Sequence, residues 1–354
     1  MSNSLSYKFK NYLKIFIKSN NMSEHKNLKQ VNLNSNIANG AKFLSDFTSN
    51  PWGIITIKRD IWAASNNTAS LVKYSRRGEF LFSADTTGAP TGLVKNFSAY
   101  FGAYNLITVT LNGGVEGYNP ITNPASTTVI LNVPNGILTS CVIANNKLFI
   151  TNFADTSVGG GVVLIYDSNF NFVNSFTDTA LVSAGFFPYS LTFYKKYLYV
   201  AFAKKDGASP VVGEGFGYIN SYRLDGSFVR RVVNRTGLNA PSAMIVDKCG
   251  KHLYVGNFGD GTTSIYKLKC GNYVGQVRDC YSNILYIDGL QGFAYDCSDD
   301  ILFSAGIDDQ ANGLIGKLTS CEEKCEKKCK PKKSCKSSTS SCKSSSTDDC
   351  RRRC

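Results

Sequence analysis

Short apolar segments separated by polar breaks recur along the chain, and the clearest example lies between Pro241 and Val274. The segments there are rich in Val, Ile, Tyr and Leu: Ala243 to Val246, His252 to Gly256, Ser264 to Leu268, and the residues from Tyr273 onward. Each meets Gly, Asn or Asp within three residues of its end, which predicts four short antiparallel strands joined by tight turns. One such sheet cannot bury its own apolar faces, so we expect it to belong to an array.

Units of similar pattern begin at regular intervals. The spacings between successive units are 39, 48, 50, 53 and 49 residues, for units that begin at Pro51, Pro90, Leu138, Pro188, Pro241 and Leu290. This period suits four-stranded blades and is too long for ankyrin or tetratricopeptide repeats. We therefore predict an all-β fold, a six-bladed β-propeller over residues 32–320, with five or seven blades as the alternatives. A Pro-x-Gly start lets the backbone of a blade pass close to the central axis.

The two ends of a propeller ring have to be joined. A strand from near the N-terminus commonly completes the last blade, because this removes an open sheet edge. The segment from Ala41 to Phe47 is placed to provide that strand, and we expect its loss to open the ring.

The net charge of +13 is concentrated at the two ends of the chain. Residues 1–30 carry a net charge of +5 and residues 321–354 a net charge of +6, which leaves about +2 for the rest. We expect a basic, disordered leader over residues 1–31 and a tail over residues 321–354 that is disordered when reduced. Any contact with polyanions is then predicted to involve both termini and to weaken with salt.

Few residues of this chain suit export or catalysis. The longest apolar run near the start, Ile15 to Ile17, is too short for a signal peptide or a membrane span, so we expect no secretion and no transmembrane segment.

His25 and His252 are the only histidines, which nearly excludes histidine-based catalysis, and we expect His252 at the surface at the start of a strand. The sequence contains no nucleophile elbow, zinc-protease helix or Walker loop, so no catalytic residue is predicted.

An ordered set of motifs indicates a family. The set consists of Asn50 to Ile54, Leu148 to Phe153 with Ile165 to Phe170, Tyr197 to Ala203 with Gly215 to Ile219, Leu253 to Gly261, and Ile287 to Gly292. It resembles a family of uncharacterised six-bladed propellers related to NHL-repeat proteins, found in bacteria and in mimivirus-type giant DNA viruses. The chain departs from that family at Gln291-Gly292, where a second Trp-Gly is usual, and at Pro241 to Ala243. The resemblance implies the fold and no established reaction.

Polar residues that follow the second strands of blades form a candidate binding site. They are Asn66, Asn152, Asn257, Asp260 and Asp308. In a propeller these positions gather near one mouth of the central channel, where amide and carboxylate oxygens suit calcium or sugar hydroxyls. The alternative is that they cap turns of their own backbone, as Asn and Asp after a strand usually do.

The tail is rich in cysteine. Its seven cysteines are Cys321, Cys325, Cys329, Cys335, Cys342, Cys350 and Cys354. Zinc binding by four thiolates is one possibility, although paired Cys-x-x-Cys knuckles are missing. We favour crosslinking, because neighbouring Lys and Arg promote thiol exchange and because an odd thiol remains unless a cysteine of the body pairs with it. The five body cysteines are expected to be reduced and partly buried.

These features support three functional hypotheses. The first is a non-enzymatic interaction or structural protein, associated with a virus particle and attached to protein partners or particle components through its tail. The second is a metal-dependent propeller hydrolase or lyase with a site at the channel mouth. The third is a nucleic-acid or polyanion binder that acts through the basic tails. The first hypothesis places the protein in the virion, and otherwise in the host cytoplasm.

Overall fold

The computed structural model describes residues 27–96 and 100–321, and strands make up most of that range. Strands β1 (Leu28–Ser35) and β2 (Phe43–Leu44) come first and belong to the last blade. Blade 1 contains β3 (Pro51–Ile57), β4 (Asp60–Ser65), β5 (Ser70–Tyr74) and β6 (Phe80–Asp85). Blade 2 contains β7 (Pro90–Lys95), β8 (Leu106–Thr110), β9 (Gly114–Tyr118) and β10 (Thr128–Asn132). Blade 3 contains β11 (Leu138–Ala144), β12 (Lys147–Asn152), β13 (Val162–Tyr166) and β14 (Phe172–Phe176).

The second half of the ring repeats this plan. Blade 4 contains β15 (Phe186–Tyr194), β16 (Tyr197–Asp206), β18 (Gly217–Tyr222) and β19 (Phe228–Asn234), with β17 (Ser209–Pro210) paired to the end of β16. Blade 5 contains β20 (Pro241–Val246), β21 (His252–Asn257), β22 (Thr263–Lys267) and β23 (Tyr273–Gln276). Blade 6 contains β24 (Leu290–Tyr295), β25 (Ile301–Ala305) and β26 (Leu314–Ser320), completed by β1 and β2. The helices of the described chain are a 3-10 turn (Thr156–Val158) and α1 (Thr179–Ser183). The predicted six-bladed propeller is confirmed.

The strand that closes the ring differs from the predicted one. Strand β1 pairs antiparallel with β26, so the prediction that the segment from Ala41 to Phe47 closes the ring is wrong. Only Phe43–Leu44 of that segment forms a strand, β2, which pairs parallel with β1 at the edge of the blade. The reason is burial: Leu28 and Leu33 of β1 enter the core, whereas Leu44 and Phe47 are exposed. The closing strand begins at Leu28 and so includes residues 28–31, which the sequence assigned to the leader.

Every inner strand carries an irregularity in its pairing near its first residues. In the bulged stretch, hydroxyl groups bond to the next blade. Thr91 donates to the carbonyl of Leu138 at 2.6 Å, and Ser242 donates to the carbonyl of Leu290 at 2.6 Å. These bonds join adjacent blades close to the axis, where a buried carbonyl left unpaired would be costly.

The Pro-x-Gly starts allow the close approach that the sequence predicted. A Cβ atom added at Gly53 would lie 2.5 Å from the carbonyl oxygen of Thr91, in the next inner strand. A Cβ atom at Gly92 would lie 2.6 Å from the backbone nitrogen of Cys141. Neighbouring inner strands therefore pack backbone against backbone, which only glycine permits at these two positions.

The apolar core is divided into clusters between neighbouring sheets. Between blades 5 and 6, Tyr254 and Ile265 pack with Leu290 and Phe303. Between blades 4 and 5, Tyr199 packs with Leu253 and other buried side chains. Each sheet thus buries its faces against its neighbours, as expected of an array. No helix in the described part of the chain is both long enough and apolar enough to span a membrane.

Candidate binding channel and its mouth

A central channel runs between the six inner strands. Its cavity measures about 210 Å³ and is lined by side chains from all six blades. The lining contains hydroxyl, amide, thiol, aromatic and aliphatic groups and no charged side chain. Burial raises the pKa of the Cys141 thiol and of the Tyr189 phenol, so both are neutral at physiological pH. The channel therefore offers a neutral, hydrogen-bonding interior.

Gln291 supplies an available hydrogen-bond donor to this channel. Its side chain is buried and its Nε2 has no hydrogen-bond partner within the described residues. A buried amide without a partner is unfavourable by about 1–3 kcal/mol, so an acceptor that enters the channel would be stabilised there. In the sequence, Gln291 is notable only because it stands where the resembled family usually has the Trp of a second Trp-Gly.

One mouth of the channel widens into a second pocket of about 190 Å³. Trp52 and Tyr189 line both the channel and this mouth pocket, with ring centroids 6.2 Å apart. The indole N–H of Trp52 donates to Asn50 at 3.1 Å, which fixes the orientation of the ring. The mouth pocket is completed by Asn66, Leu111, Ile137, Phe258, Gln310 and the segment 208–210.

The segment 208–210 belongs to a hairpin of blade 4 that reaches over the mouth. Strands β16 and β17 form this hairpin, and Lys205 at its base is buried, with 5% of its side chain exposed. The Lys205 ammonium pairs with Asp155 at 2.8 Å and lies 5.7 Å and 5.4 Å from the ring centroids of Phe153 and Phe187. The ion pair and the two rings hold the hairpin in place. The sequence pattern did not indicate this hairpin.

Two of the predicted site residues have structural roles below the surface. Asn152 and Asn257 are the last residues of β12 and β21, and both are fully buried. Asn152 accepts from the backbone N–H of Ile137 at 3.1 Å, and Asn257 accepts from that of Asn239 at 3.1 Å. Each side chain thus joins the end of a second strand to the segment that enters the same blade.

The predicted carboxylates cap local turns. Asp260 accepts from the backbone N–H of Thr262 at 3.0 Å and from the Asn239 amide at 3.1 Å. Asp308 accepts from the Asn312 amide at 3.0 Å. Of the five predicted residues, only Asn66 lines the mouth pocket. Within residues 27–96 and 100–321, no group of three or more His, Cys, Asp or Glu side chains is arranged to hold a metal ion. In this structure Asp260 and Asp308 therefore cap turns, as in the alternative interpretation of the sequence.

His252 lies at the start of β21, as predicted, but its side chain is largely buried. Its Nδ1 is 2.9 Å from a carboxylate oxygen of Asp247, whose other oxygen accepts from the backbone N–H of Lys251 at 2.7 Å. Burial alone would raise the pKa of Asp247, but these hydrogen bonds outweigh it and hold the pKa below its usual value. The pair anchors the β20–β21 turn, so the expectation of a surface histidine was wrong.

A disulfide bond lies where the tail leaves the propeller. Cys280, in the loop between blades 5 and 6, is bonded to Cys321, which directly follows β26. The two Cα atoms are 5.4 Å apart, which is within the normal range for a disulfide. This corrects two expectations: Cys280 is not a reduced body thiol, and Cys321 is not available for crosslinking. Cys325, Cys329, Cys335, Cys342, Cys350 and Cys354 lie outside the described residues.

Comparison with known proteins identifies close relatives in one virus. "Uncharacterized protein R648" of Acanthamoeba polyphaga mimivirus is 31% identical over 320 residues, which cover 80% of this chain and 78% of the relative. The chain belongs to the same family as this mimivirus protein. A second member from mimivirus, "Uncharacterized protein L690", is 32% identical over 305 residues, which cover 76% of this chain and 79% of that protein. No family model matches this chain, so the relation to NHL-repeat proteins stays a prediction.

Solved structures share the propeller fold of this chain at low sequence identity. A streptogramin B lyase has a TM-score of 0.51 and 13% identity, with 83% of this chain and 97% of the lyase covered. A luciferin-regenerating enzyme has a TM-score of 0.54 and 12% identity, with 78% of this chain and 92% of the enzyme covered. At this identity the similarity shows the propeller fold alone.

Proposed function

We propose that this protein is a non-enzymatic structural propeller of a giant-virus particle, attached to particle components through its cysteine-rich tail. The relatives in mimivirus support the viral context. The neutral lining of the channel supports a binding or structural role over acid–base chemistry there. The observation that carries the proposal is the Cys280–Cys321 bond at the root of the tail.

The position of this bond suits a mechanical attachment. Cys321 is the first residue after β26, and β26 is the strand that pairs antiparallel with the closing strand β1. Without the disulfide, tension applied through the tail would act only on the end of β26, the strand that pairs with β1. The disulfide divides that tension between β26 and the loop between blades 5 and 6. With Cys321 used inside the chain, six tail cysteines remain for bonds to other molecules.

The test compares purified particles that carry the full-length protein with particles that carry a deletion of residues 322–354. The deletion keeps Cys321, so the bond at the tail root is preserved and loss of folding is separated from loss of attachment. We expect the full-length protein to form a ladder on non-reducing gels that collapses with reductant, and the deletion variant to run as a monomer. A monomer band from full-length protein in non-reduced particles would contradict the proposal.

A metal-dependent hydrolase or lyase is the second candidate. The observations that favour it are the mouth pocket, with Trp52, Tyr189 and Asn66 on its wall, and a fold shared with a lyase and a luciferin-regenerating enzyme. Calcium at the mouth or zinc in the tail would then be the cofactor. Elemental analysis of full-length protein with and without chelator tests this candidate: a stoichiometric metal whose removal lowers the melting temperature would support it. Polyanion binding through the basic termini is the third candidate, supported by their net charges.

A further inference from the structure

A strongly basic groove of about 540 Å³ lies at the seam between blade 6 and blade 1. The closing strand β1 and β26 form one side, and two turns of blade 1 form the other. We call it the closure groove and define it by Leu33, Lys42, Arg59, Arg76, Arg77 and Lys317. The near-neutral charge of the body as a whole conceals this local concentration of cations.

Four of these cations are uncompensated. Lys317 pairs with Asp300 at 2.7 Å and lies 3.9 Å from Asp296, so its charge is neutralised. The remaining four, Lys42, Arg59, Arg76 and Arg77, form no ion pair within the described residues. No carboxylate lines the groove. All four side chains are exposed and line the same groove, and the Lys42 ammonium also lies 5.2 Å from the centroid of the Phe43 ring. An anion bound in the groove would be attracted by all four charges, most strongly at low salt.

The turn that carries Arg76 and Arg77 is fixed to the closing strand. Its glycine, Gly78, has a φ of +92°, and the carbonyl of Gly78 accepts a hydrogen bond from the side-chain amide of Asn34 at 2.7 Å. Asn34 is fully buried and also accepts a hydrogen bond from Thr48 at 2.6 Å. A Cβ atom at Gly78 would lie 2.6 Å from the Cβ of Leu33, so the turn packs directly against β1. The backbone that presents the two guanidinium groups is therefore ordered before any ligand binds.

The chemistry of these side chains selects the ligand. Guanidinium groups bind the oxygens of phosphate in bidentate fashion, and each phosphate monoester brings a charge of about −1.5 to −2 near neutral pH. Two adjacent phosphate groups would match the four uncompensated cations. We propose that the closure groove binds clustered phosphate groups of a small phosphorylated ligand. This site is on the folded body, and it does not depend on the tail or on attachment to a particle.

The test uses the full-length protein and inorganic tripolyphosphate in isothermal titration calorimetry. The variant Arg76→Glu/Arg77→Glu reverses two groove charges. The variant Lys267→Glu/Lys269→Glu is its matched control, because it makes the same charge change in blade 5, at the last residue of β22 and in the turn that follows it, where both lysines are exposed. Both variants retain the basic termini, so any tripolyphosphate that binds to the ends of the chain binds equally in both. Melting temperatures of the two variants check that each folds.

We expect the groove variant to weaken tripolyphosphate binding about tenfold or more and the control to change it less than about twofold. Hydrogen exchange at Ser75–Glu79 should slow on addition of tripolyphosphate in the wild type and in the control variant, and much less in the groove variant. A second experiment measures binding of the protein to vesicles that contain a phosphoinositide. If the wild type binds both tripolyphosphate and these vesicles, and vesicle binding is lost in the groove variant, a lipid headgroup is identified as one source of the phosphates. Equal affinity in wild type and groove variant, or a dependence on these arginines for duplex DNA and not for tripolyphosphate, would overturn the proposal.

Discussion

The backbone N–H of Leu28, at the start of the closing strand, donates to the carbonyl of Arg278 at 2.8 Å, two residues before Cys280. The start of β1, the loop between blades 5 and 6 and the root of the tail therefore meet at one place. The Cys280–Cys321 bond joins the second and third of these segments. Closure of the ring and the attachment point of the tail are thus parts of one local structure.

We predict that removal of this bond destabilises the propeller. The cysteines are separated by 41 residues, and the chain-entropy model gives about 4 kcal/mol for a loop of that length. Cys280→Ser/Cys321→Ser should lower the free energy of unfolding in urea by roughly this amount. Reductant should destabilise the wild type equally and leave the variant unchanged. The control Cys249→Ser/Cys270→Ser, at two exposed free cysteines, should match the wild type.

A second prediction concerns the buried network that holds β1 to blade 1. Asn34 bonds to Gly78 and Thr48, and the Thr48 hydroxyl is 2.7 Å from that of Tyr74. Asn34→Ala removes the partner of the buried Gly78 carbonyl and of the buried Thr48 hydroxyl. We therefore expect the free energy of unfolding in urea to fall by about 2–3 kcal/mol. In the double variant Asn34→Ala/Thr48→Val, the loss of unfolding free energy should be smaller than the sum of the losses in the two single variants. Full additivity in this double-mutant cycle would show that the two residues do not act together.

The Asp247–His252 pair gives a prediction for pH. The pKa of Asp247 is lower in the folded state than its usual value. Such a carboxyl stabilises the fold at pH values above its unfolded pKa, and this stabilisation is lost as pH falls through the folded pKa. Asp247→Asn should therefore be less stable than wild type at neutral pH, by about 1–3 kcal/mol, and the difference should shrink in acid. A difference that stays constant from pH 7 down to pH 3 would rule out this role for the carboxylate.

Lys205 is predicted to control the hairpin over the channel mouth. Lys205→Met keeps an unbranched side chain between Phe153 and Phe187 but loses the ion pair to Asp155 and the hydrogen bond to the carbonyl of Gly207. We expect faster hydrogen exchange in residues 206–210, because these two interactions of the ammonium hold the hairpin. The global unfolding free energy should change by less than about 1 kcal/mol, since one partner of the pair is exposed. Unchanged exchange in this segment would show that the rings alone hold the hairpin.

The blades could be predicted from sequence because each sheet is local. Four apolar segments with turn residues between them, as in the chain from Pro241 onward, specify one blade without reference to the rest. The closing strand could not be assigned in this way. Its only buried apolar residues are Leu28 and Leu33, and its identity depends on pairing with β26, which lies almost the whole chain away in sequence.

The site was harder to predict because its residues come from different blades. Trp52 and Tyr189 meet at the mouth although 137 positions separate them, and no local pattern reveals that contact. Asn152 and Asn257 looked like ligand-binding residues because they follow strands, yet burial and backbone hydrogen bonds engage their side chains. The Cys280–Cys321 pair was one option left open by the odd number of tail cysteines.

Attachment to the particle through the tail is tested most directly by mass spectrometry of purified, non-reduced particles after labelling of free thiols. We expect the protein to be present, Cys280 and Cys321 to be joined to each other, and tail cysteines beyond Cys321 to be found in disulfide-linked peptides with other particle proteins. Absence of the protein from particles, or a tail in which all six of those thiols are labelled as free, would contradict attachment through the tail.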